Sequence, residues 1–282
     1  MATPSWCCGT IVDVTPPVVL TIAAHDPLGG AGIAADLTTF AAHGVHGMVA
    51  VTAVTAQRFD AVERVVATPA ELLAAQLDGI VASAAVAALK VGLLFDPAQV
   101  AVVAERVADG RLPAPVVDPV MVDGRGDRFV AAEIEAAARA SLFPRSAVLT
   151  PNRAEAVLLG SDPAALAALG ARLVVVTGGG ADATDLLVWP DGTSEELVGE
   201  WIDTANVRGS GCTFAASMAA GLALADGLED AARRAKAFVA GQLRDSAGWH
   251  VGPRGTDGPV SHRSGRRSAS PPAQGTAAHS SP

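Results

Sequence analysis

From Val18 onward, short β-branched apolar runs alternate with alanine-rich segments of helical length, and that order leaves few architectures open. The runs are residues 18–24, 48–54, 89–94, 115–120, 147–150 and 173–177; segments 32–42, 69–84, 97–108, 130–142 and 153–159 lie between them. Strands apolar on both faces and separated by helices predict a parallel sheet covered on both sides. The expected fold class is therefore α/β, a three-layer α/β/α arrangement with a mostly parallel central sheet. After residue 177 the rhythm changes. Segments 185–190 and 195–201 predict a hairpin around Asp191-Gly192, and two helices follow, one opening at Gly209 and one running from about Leu228 to Asp245. Nothing resembling a linker interrupts residues 18–262, which predicts one domain. The leader 1–17 and the Ser/Pro-rich tail 263–282 read as disordered ends.

A chain of 282 residues, half of them apolar, can bury a core without disulfides or structural metal. No apolar run reaches the roughly 18 residues of a membrane-spanning helix, so no membrane partner is expected. The formal charge of −9, from 20 basic and 29 acidic residues, argues against a nucleic-acid surface, which needs clustered Lys and Arg. One short basic cluster, Arg263 to Arg267, lies in the tail. Three cysteines, two of them adjacent at Cys7 and Cys8, make no disulfide framework, and residues 1–17 lack the pattern of a secretory signal. A reducing, cytoplasmic setting follows.

In open parallel sheets ligands bind beyond the carboxyl ends of strands, so the strand-to-helix loops are the places to look. The first, His25 to Gly32, is glycine-rich, and Gly30-Ala31-Gly32-Ile33-Ala34-Ala35 fits a relaxed dinucleotide fingerprint. The acid expected about 20 residues later is missing: Thr52, Ala53, Val54 and Thr55 stand there. Binding of NAD(P) is expected to be absent. The second loop, Arg208-Gly209-Ser210-Gly211-Cys212-Thr213, precedes an apolar helix. Open backbone N–H groups and the helix dipole make it a candidate phosphate cradle, although it lacks the Walker spacing. An ordinary helix start capped by Ser210 is the plain alternative.

Cys212 falls in the first turn of that helix, where the dipole favours a thiolate and lowers the thiol pKa, making a usable base or nucleophile. An inert buried cysteine is the alternative. Two polar strand ends complete the candidates: Asp118-Pro119-Val120-Met121 and Thr150-Pro151-Asn152-Arg153-Ala154-Glu155. Asp118, with Asn152 and Glu155, could hold Mg²⁺ through waters beside phosphates. Asn152 and Glu155 equally form a local capping pair.

Together these segments resemble the ribokinase-like superfamily, and within it the hydroxymethylpyrimidine/phosphomethylpyrimidine kinases of thiamine biosynthesis. The resemblance rests on Asp26-Pro27-x-Gly29-Gly30-Ala31-Gly32-Ile33-x-Ala35-Asp36-Leu37-x-Thr39-Phe40, Thr52-Ala53-Val54-Thr55-Ala56-Gln57, Lys90-Val91-Gly92-Leu93 and Asp118-Pro119-Val120-Met121. It continues through Thr150-Pro151-Asn152-x-x-Glu155-Ala156, Thr177-Gly178-Gly179, Gly209-Ser210-Gly211-Cys212-Thr213 and Gly258-Pro259-Val260-x-His262. It implies an enzyme that transfers the ATP γ-phosphate to 4-amino-5-hydroxymethyl-2-methylpyrimidine and then to its monophosphate, with ATP and Mg²⁺ as cofactors. Carried over residue by residue, Cys212 stands at the catalytic base position, and the amides of Gly209, Ser210 and Gly211 stabilise charge on the transferring group. Gln57 reads the amino and ring-nitrogen edge of the pyrimidine. Asp36 contacts the same substrate, and Ala24, Ala31, Thr55, Leu93 and Val120 shape the pocket. Asn152, Thr177, Gly179, Val207 and Thr213 border ATP, while Asp118 and Glu155 attend the metal.

Some positions depart from the family pattern. Ala24-His25 replaces Gly-Ser or Gly-Thr, and Thr177 stands where relatives of this branch often have Lys, which removes one cation from the ATP side. The segment between Glu155 and Leu173 is short, and residues 253–257 read as an altered closing loop. The same branch contains vitamin B6 kinases acting on pyridoxal or pyridoxine, so such a kinase is the near alternative. A pyrimidine-binding sensor without turnover is the more distant one. Relatives often dimerise, and the segment from Leu228 carries apolar positions beyond one core face, so a homodimer stays open.

Overall fold

A computed structural model describes residues 15–121, 130–160, 162–178, 183–252 and 258–262. Gly179, the 253–257 loop, most of the leader and the tail from residue 263 lie outside these residues.

β1 (Val18–His25) is β-branched and almost wholly buried, which suits the middle of a sheet covered on both faces. The chain continues through α1 (Gly32–Ala42), β2 (His46–Gln57), β3 (Val62–Ala67), α2 (Ala70–Ser83), β4 (Val86–Val91), α3 (Pro97–Ala108), β5 (Val116–Val117) and α4 (Ala132–Ser141). It ends with β6 (Val148–Leu149), α5 (Arg153–Leu159), α6 (Pro163–Ala167), β7 (Val174–Val176), β8 (Thr184–Val188), β9 (Ser194–Val198), α7 (Ser210–Ala223) and α8 (Leu228–Ser246). The spatial order is β3-β2-β1-β4-β5-β6-β7-β8-β9. The strands from β2 to β7 run parallel, and β3, β8 and β9 are antiparallel additions at the edges. The expected α/β/α class is observed.

The edge strand β3 was not anticipated. All but one of its residues are exposed, so Val62 to Ala67 show no burial alternation for a sequence pattern to reveal. The strands β5 and β6 are also shorter than the apolar runs that announce them. Local signals are better expressed in helices. Asp96 caps α3 by accepting from the Ala98 amide at 2.7 Å, with Pro97 in its first turn.

Two cores flank the sheet. On one face Leu73, Leu77, Val100, Val103, Ile134, Ala156, Leu159 and Leu166 bring α2 to α6 against it. On the other, Phe40 and the small residues of α7 and α8 pack together. Ala215, Ala216, Ala219 and Ala220 are fully buried, and a Cβ on Gly221 would come 3.2 Å from the Ala231 Cβ. The alanine content therefore permits close approach: α7 lies tight between sheet and α8, which fixes where its N-terminus points. No helix among the described residues is long and apolar enough to cross a membrane.

Candidate active site

The chain leaves β1 for β2 on one side and later returns to β4 on the other, so a topological switch point lies between β1 and β4. A crevice beyond the carboxyl ends of strands at such a point is where open α/β sheets bind ligands. Both glycine-rich loops meet there. Gly209 has φ +81°, and a Cβ on it would fall 1.8 Å from the Gly30 carbonyl oxygen; Gly32 has φ +55° with the Ala24 carbonyl 2.2 Å from its would-be Cβ. Only glycine allows these backbones to touch.

Gly209 is the N-cap of α7 and no side chain caps the helix, so Ser210 does not play the capping part. The Ser210 amide is turned back onto the Val207 carbonyl at 3.1 Å. It is thus unavailable to a ligand, contrary to the expectation that Gly209, Ser210 and Gly211 act together. The amides of Gly209, Gly211 and Cys212 have no acceptor among the described residues, and a Cβ on Gly211 would meet nothing within 4 Å. An open, uncapped helix start of this kind fits the phosphates of a nucleotide.

Cys212 keeps part of its surface open. Its sulfur lies against the Gly32 N–H and beside the Asp118 carboxyl, with Lys90 and Asp36 close behind. Lys90 is fully buried; its Nζ donates to Asp36 Oδ2 at 2.9 Å, and Thr21 Oγ1 donates to the same oxygen at 2.6 Å. A Cβ on Gly92 would lie 2.8 Å from that Nζ, so the ammonium sits directly beneath the β4 loop. One cation thus faces two carboxyls and a thiol. Burial raises the proton affinity of all three acidic groups, and the cation opposes it. Burial pushes the Asp36 carboxyl up, against the pull of Lys90 and Thr21. Asp118 is pushed up by burial and Asp36, against Lys90. Burial would lower Lys90, but Asp36, Cys212 and Asp118 raise it above its ordinary value.

The same balance corrects the thiolate expectation. Burial pushes the Cys212 thiol up to about 12, with Lys90 pulling down and Asp118 and Asp36 pushing further up. The helix start does not outweigh desolvation, and Cys212 rests as a thiol. Asp36, expected to contact substrate, is fully buried and committed to Lys90 and Thr21, so it stands behind the site wall.

Gln57 closes β2 on the rim. Its Nε2 donates to Asp26 Oδ1 at 2.5 Å, and Arg208 Nη2 donates to Asp26 Oδ2 at 3.2 Å. Thr55 Oγ1 donates to the His25 carbonyl at 2.9 Å, which ties the β2 end to the first loop. Leu93, Val120 and Asp118 line a small cleft of about 40 Å³ beside Gly92 and Met121. The cleft runs on beneath α3 and α4 past Val100, Ile134 and Ala138, and Ala24, Ala31, Thr55 and Gln57 do not line it, so it does not unite the expected pocket wall.

On the far side, Asn152 and Glu155 form a complete capping box at the start of α5. Glu155 Oε2 accepts from the Asn152 amide and Oε1 from the Met121 amide, both at 2.9 Å. Among the described residues no group of three or more His, Cys, Asp or Glu side chains is placed to hold a metal. With Glu155 bound to amides and Asp118 turned to Cys212, the pair does not fit direct metal ligation. The expectation for Asp118 and Glu155 was a metal held through waters, and this arrangement leaves that outer role open to them. Thr213 is fully buried, donating to the Gly209 carbonyl and bonded to His262 Nε2 at 2.9 Å, so its hydroxyl does not face a nucleotide. Thr177 pairs with Asn152 across strand ends, and Val207 is 43% exposed beside the cradle. A cation does stand near the Thr177-Gly178 turn. Lys236 of α8 pairs with Asp185 at 2.8 Å, and the other Asp185 oxygen accepts the Gly178 amide at 2.7 Å.

Lys90, Asp26, Arg208, Lys236 and His262 were given no settled role by sequence reasoning. A signal existed for Lys90: the chain has 18 arginines and only two lysines, and this one lies inside an apolar strand.

The family model described as phosphomethylpyrimidine kinase matches residues 26–261. A hydroxymethylpyrimidine/phosphomethylpyrimidine kinase of Streptomyces coelicolor is 40% identical over 263 residues, covering 88% of this chain and 95% of the relative. One of Synechococcus elongatus is 40% identical, with coverages of 87% and 97%. Among solved structures, a pyridoxal kinase of Bacillus subtilis in complex with ADP has TM-score 0.79 at 33% identity, covering 88% of this chain and 97% of that one. A phosphomethylpyrimidine kinase of Clostridium difficile has TM-score 0.70 at 27% identity, with coverages of 80% and 98%.

Proposed function

The chain belongs to the phosphomethylpyrimidine kinase family, and from that premise we propose that it phosphorylates 4-amino-5-hydroxymethyl-2-methylpyrimidine and then the resulting monophosphate at the switch-point crevice. We take residues 18–262 as the kinase domain and the cytoplasm as its setting. The observation that carries the reading is the placement of the Cys212 thiol at an uncapped helix start, with Asp118 beside it. ATP supplies the phosphoryl group, and Mg²⁺ would come with its phosphates and waters, the usual manner for this ion, since the described residues offer no cage of direct ligands.

The amides of Gly209, Gly211 and Cys212 meet the charge that develops on the group in flight. Phosphoryl transfer depends mainly on positioning and on such charge stabilisation. As the substrate oxygen bonds to phosphorus and the bond to ADP breaks, the hydroxyl proton passes to the Cys212 sulfur. The proton already on that sulfur moves to Asp118, the carboxyl it touches. The raised proton affinity of Asp118 makes it a competent acceptor. Gln57 and the Leu93–Val120 cleft hold the pyrimidine, and Val207 and Asn152 border the nucleotide.

The test is ADP release with the hydroxymethyl compound, its monophosphate and pyridoxal as acceptors. Wild type is expected to use both pyrimidines. Cys212→Ala is expected to lose about 10²- to 10³-fold in kcat on the hydroxymethyl compound, the scale of general base catalysis. It should lose less on the monophosphate, whose oxygen is already anionic. Full activity of Cys212→Ala on the alcohol would remove the base assignment. Pyridoxal phosphorylation is the second reading, favoured by the TM-score of 0.79 to two pyridoxal kinases. A higher kcat/KM for pyridoxal than for the pyrimidine would establish it.

A further inference from the structure

A glutamine amide is ambiguous as a recognition group, because a half-turn of its last torsion exchanges donor and acceptor. Here one neighbour removes the ambiguity. Asp26 is 4% exposed, and its carboxylate oxygens have only lone pairs to offer, so the group facing Oδ1 must be the Gln57 NH₂. The Leu28 amide donates to the same oxygen at 2.9 Å, which keeps the carboxylate from rotating away. Its other oxygen is held by Arg208. Arg208 is itself pinned: its amide donates to the Gly258 carbonyl at 3.0 Å, its carbonyl accepts from the Val260 amide at 3.1 Å, and its Cδ lies 3.4 Å from where a Gly30 Cβ would be. No donor to Gln57 Oε1 occurs among the described residues. The amide is left with one oxygen and one N–H free, in a fixed order.

We propose that Asp26, clamped by Arg208, fixes the polarity of the Gln57 amide and thereby selects a heterocycle carrying an amino donor beside a ring-nitrogen acceptor, rejecting its deaminated 4-oxo counterpart. The proposal rests on the pyrimidine reading and deepens it. The amino group donates to Oε1 and the ring nitrogen accepts the remaining N–H. In the 4-oxo compound a carbonyl and a ring N–H replace them, so like faces like at both contacts, and buried groups left unpaired are what make such rejection strong. Asp26 and Arg208 act through Gln57 and are positioning residues. Because Arg208 directly precedes the Gly209 cradle, the group that reads the ring and the loop that meets the phosphates share one clamp.

The experiment is calorimetric binding, without ATP, of 4-amino-5-hydroxymethyl-2-methylpyrimidine and of its 4-oxo analogue. Wild type is expected to prefer the amino compound on the order of 100-fold, the scale of leaving polar groups unpaired. In Asp26→Asn the side-chain oxygen stays with the charged Arg208, and the NH₂ takes the place of Oδ1, which leaves the Leu28 amide without its acceptor and turns the Gln57 amide over. Discrimination should then fall below about tenfold or invert. In a Gln57→Leu background the Asp26→Asn change should leave the ratio where Gln57→Leu alone puts it, an outcome that loss of loop structure would not give. Arg208→Met, which keeps the carboxylate but frees it, should lower the ratio to a lesser extent and covers the case in which Asp26→Asn does not fold. A wild-type ratio in both Asp26→Asn and Arg208→Met overturns the proposal, as does equal binding of the two compounds by wild type. Tight, selective binding without ADP release would instead count against the kinase reading alone.

Discussion

Tyrosine is absent from the chain, lysine occurs at Lys90 and Lys236 alone, and there are three cysteines, so few side chains titrate between pH 9 and 12. That scarcity makes the buried cluster visible in a stability measurement. Cys212 is raised from its ordinary 9.0 to about 12, burial being the largest cause. Above pH 9 the thiol ionises in the unfolded chain but stays protonated in the folded one. Its stabilising contribution is therefore complete below pH 9 and is lost as pH climbs toward 12. Lys90 lies above its ordinary 10.5 and works in the same direction, because the folded state keeps a proton that the unfolded state releases. The urea midpoint of wild type should fall from about pH 9 upward, while that of Cys212→Ala should stay level until Lys90 takes over near 10.5. Parallel curves for the two proteins between 9 and 10.5 would refute the buried-thiol account. Lysine at position 90 has its own logic in a chain that otherwise prefers arginine. A compact ammonium fits under Gly92 where a planar guanidinium would not. None of this was legible beforehand, since Lys90 and Asp36 are 54 residues apart and Arg208 and Asp26 are 182 apart. The helix position of Cys212 was legible; the desolvation that outweighs it depends on those distant partners.

Helices and strands announced themselves where their signals are local. The predicted bounds of α1, α3 and α5 coincide with the observed ones, because a glycine loop, an Asp-Pro cap and a capping box each mark a start within a few residues. The edge strand β3 lacked such a mark, and its pairing with β2 is the only feature that makes it a strand. The start of α7 was also legible, but its wiring was not: Gly209 in the left-handed region leaves the helix uncapped, and the Ser210 amide, expected to join the cradle, turns back onto the Val207 carbonyl. That geometry gives an element-scale prediction. In Gly209→Ala the added methyl would sit 1.8 Å from the Gly30 oxygen at φ +81°, so the two glycine loops must separate. The amides of Gly211 and Cys212 then lose their aim. kcat should fall on the order of 100-fold, as when one oxyanion donor is removed. Far-UV circular dichroism should remain that of wild type, because the strain is confined to one turn. Retention of wild-type kcat would show that the cradle tolerates an open loop.

At the scale of the whole molecule, the acidic surface and the anionic ligand are compatible because the cradle is made from backbone amides instead of lysines, and the last described residues hold it in place. The segment 258–262 pairs with Arg208, its His262 bonds Thr213 in the first turn of α7, and Gly258 packs on Asn206. Asn206 in turn donates to the carbonyls of Ser246 at 2.6 Å and Trp249 at 3.1 Å, so the end of α8 is joined to the same strap. Loop, helix start and the 258–262 strap thus form one closure, and its weakest tolerance is Gly258, where a Cβ would come 1.8 Å from Asn206 Oδ1. Gly258→Ala must push Asn206 off both carbonyls, a loss of buried hydrogen bonds worth about 1–3 kcal/mol, or a drop in Tm of roughly 2–12 °C for a domain of this size. Asn206→Ala removes the same bonds by another route. If Gly258 acts through Asn206, the double variant should be no less stable than the worse single one, because the methyl then has nothing to displace. Additive losses in thermal unfolding would mean that Gly258 supports the 258–262 strap by a separate path, and that the closure is two contacts rather than one.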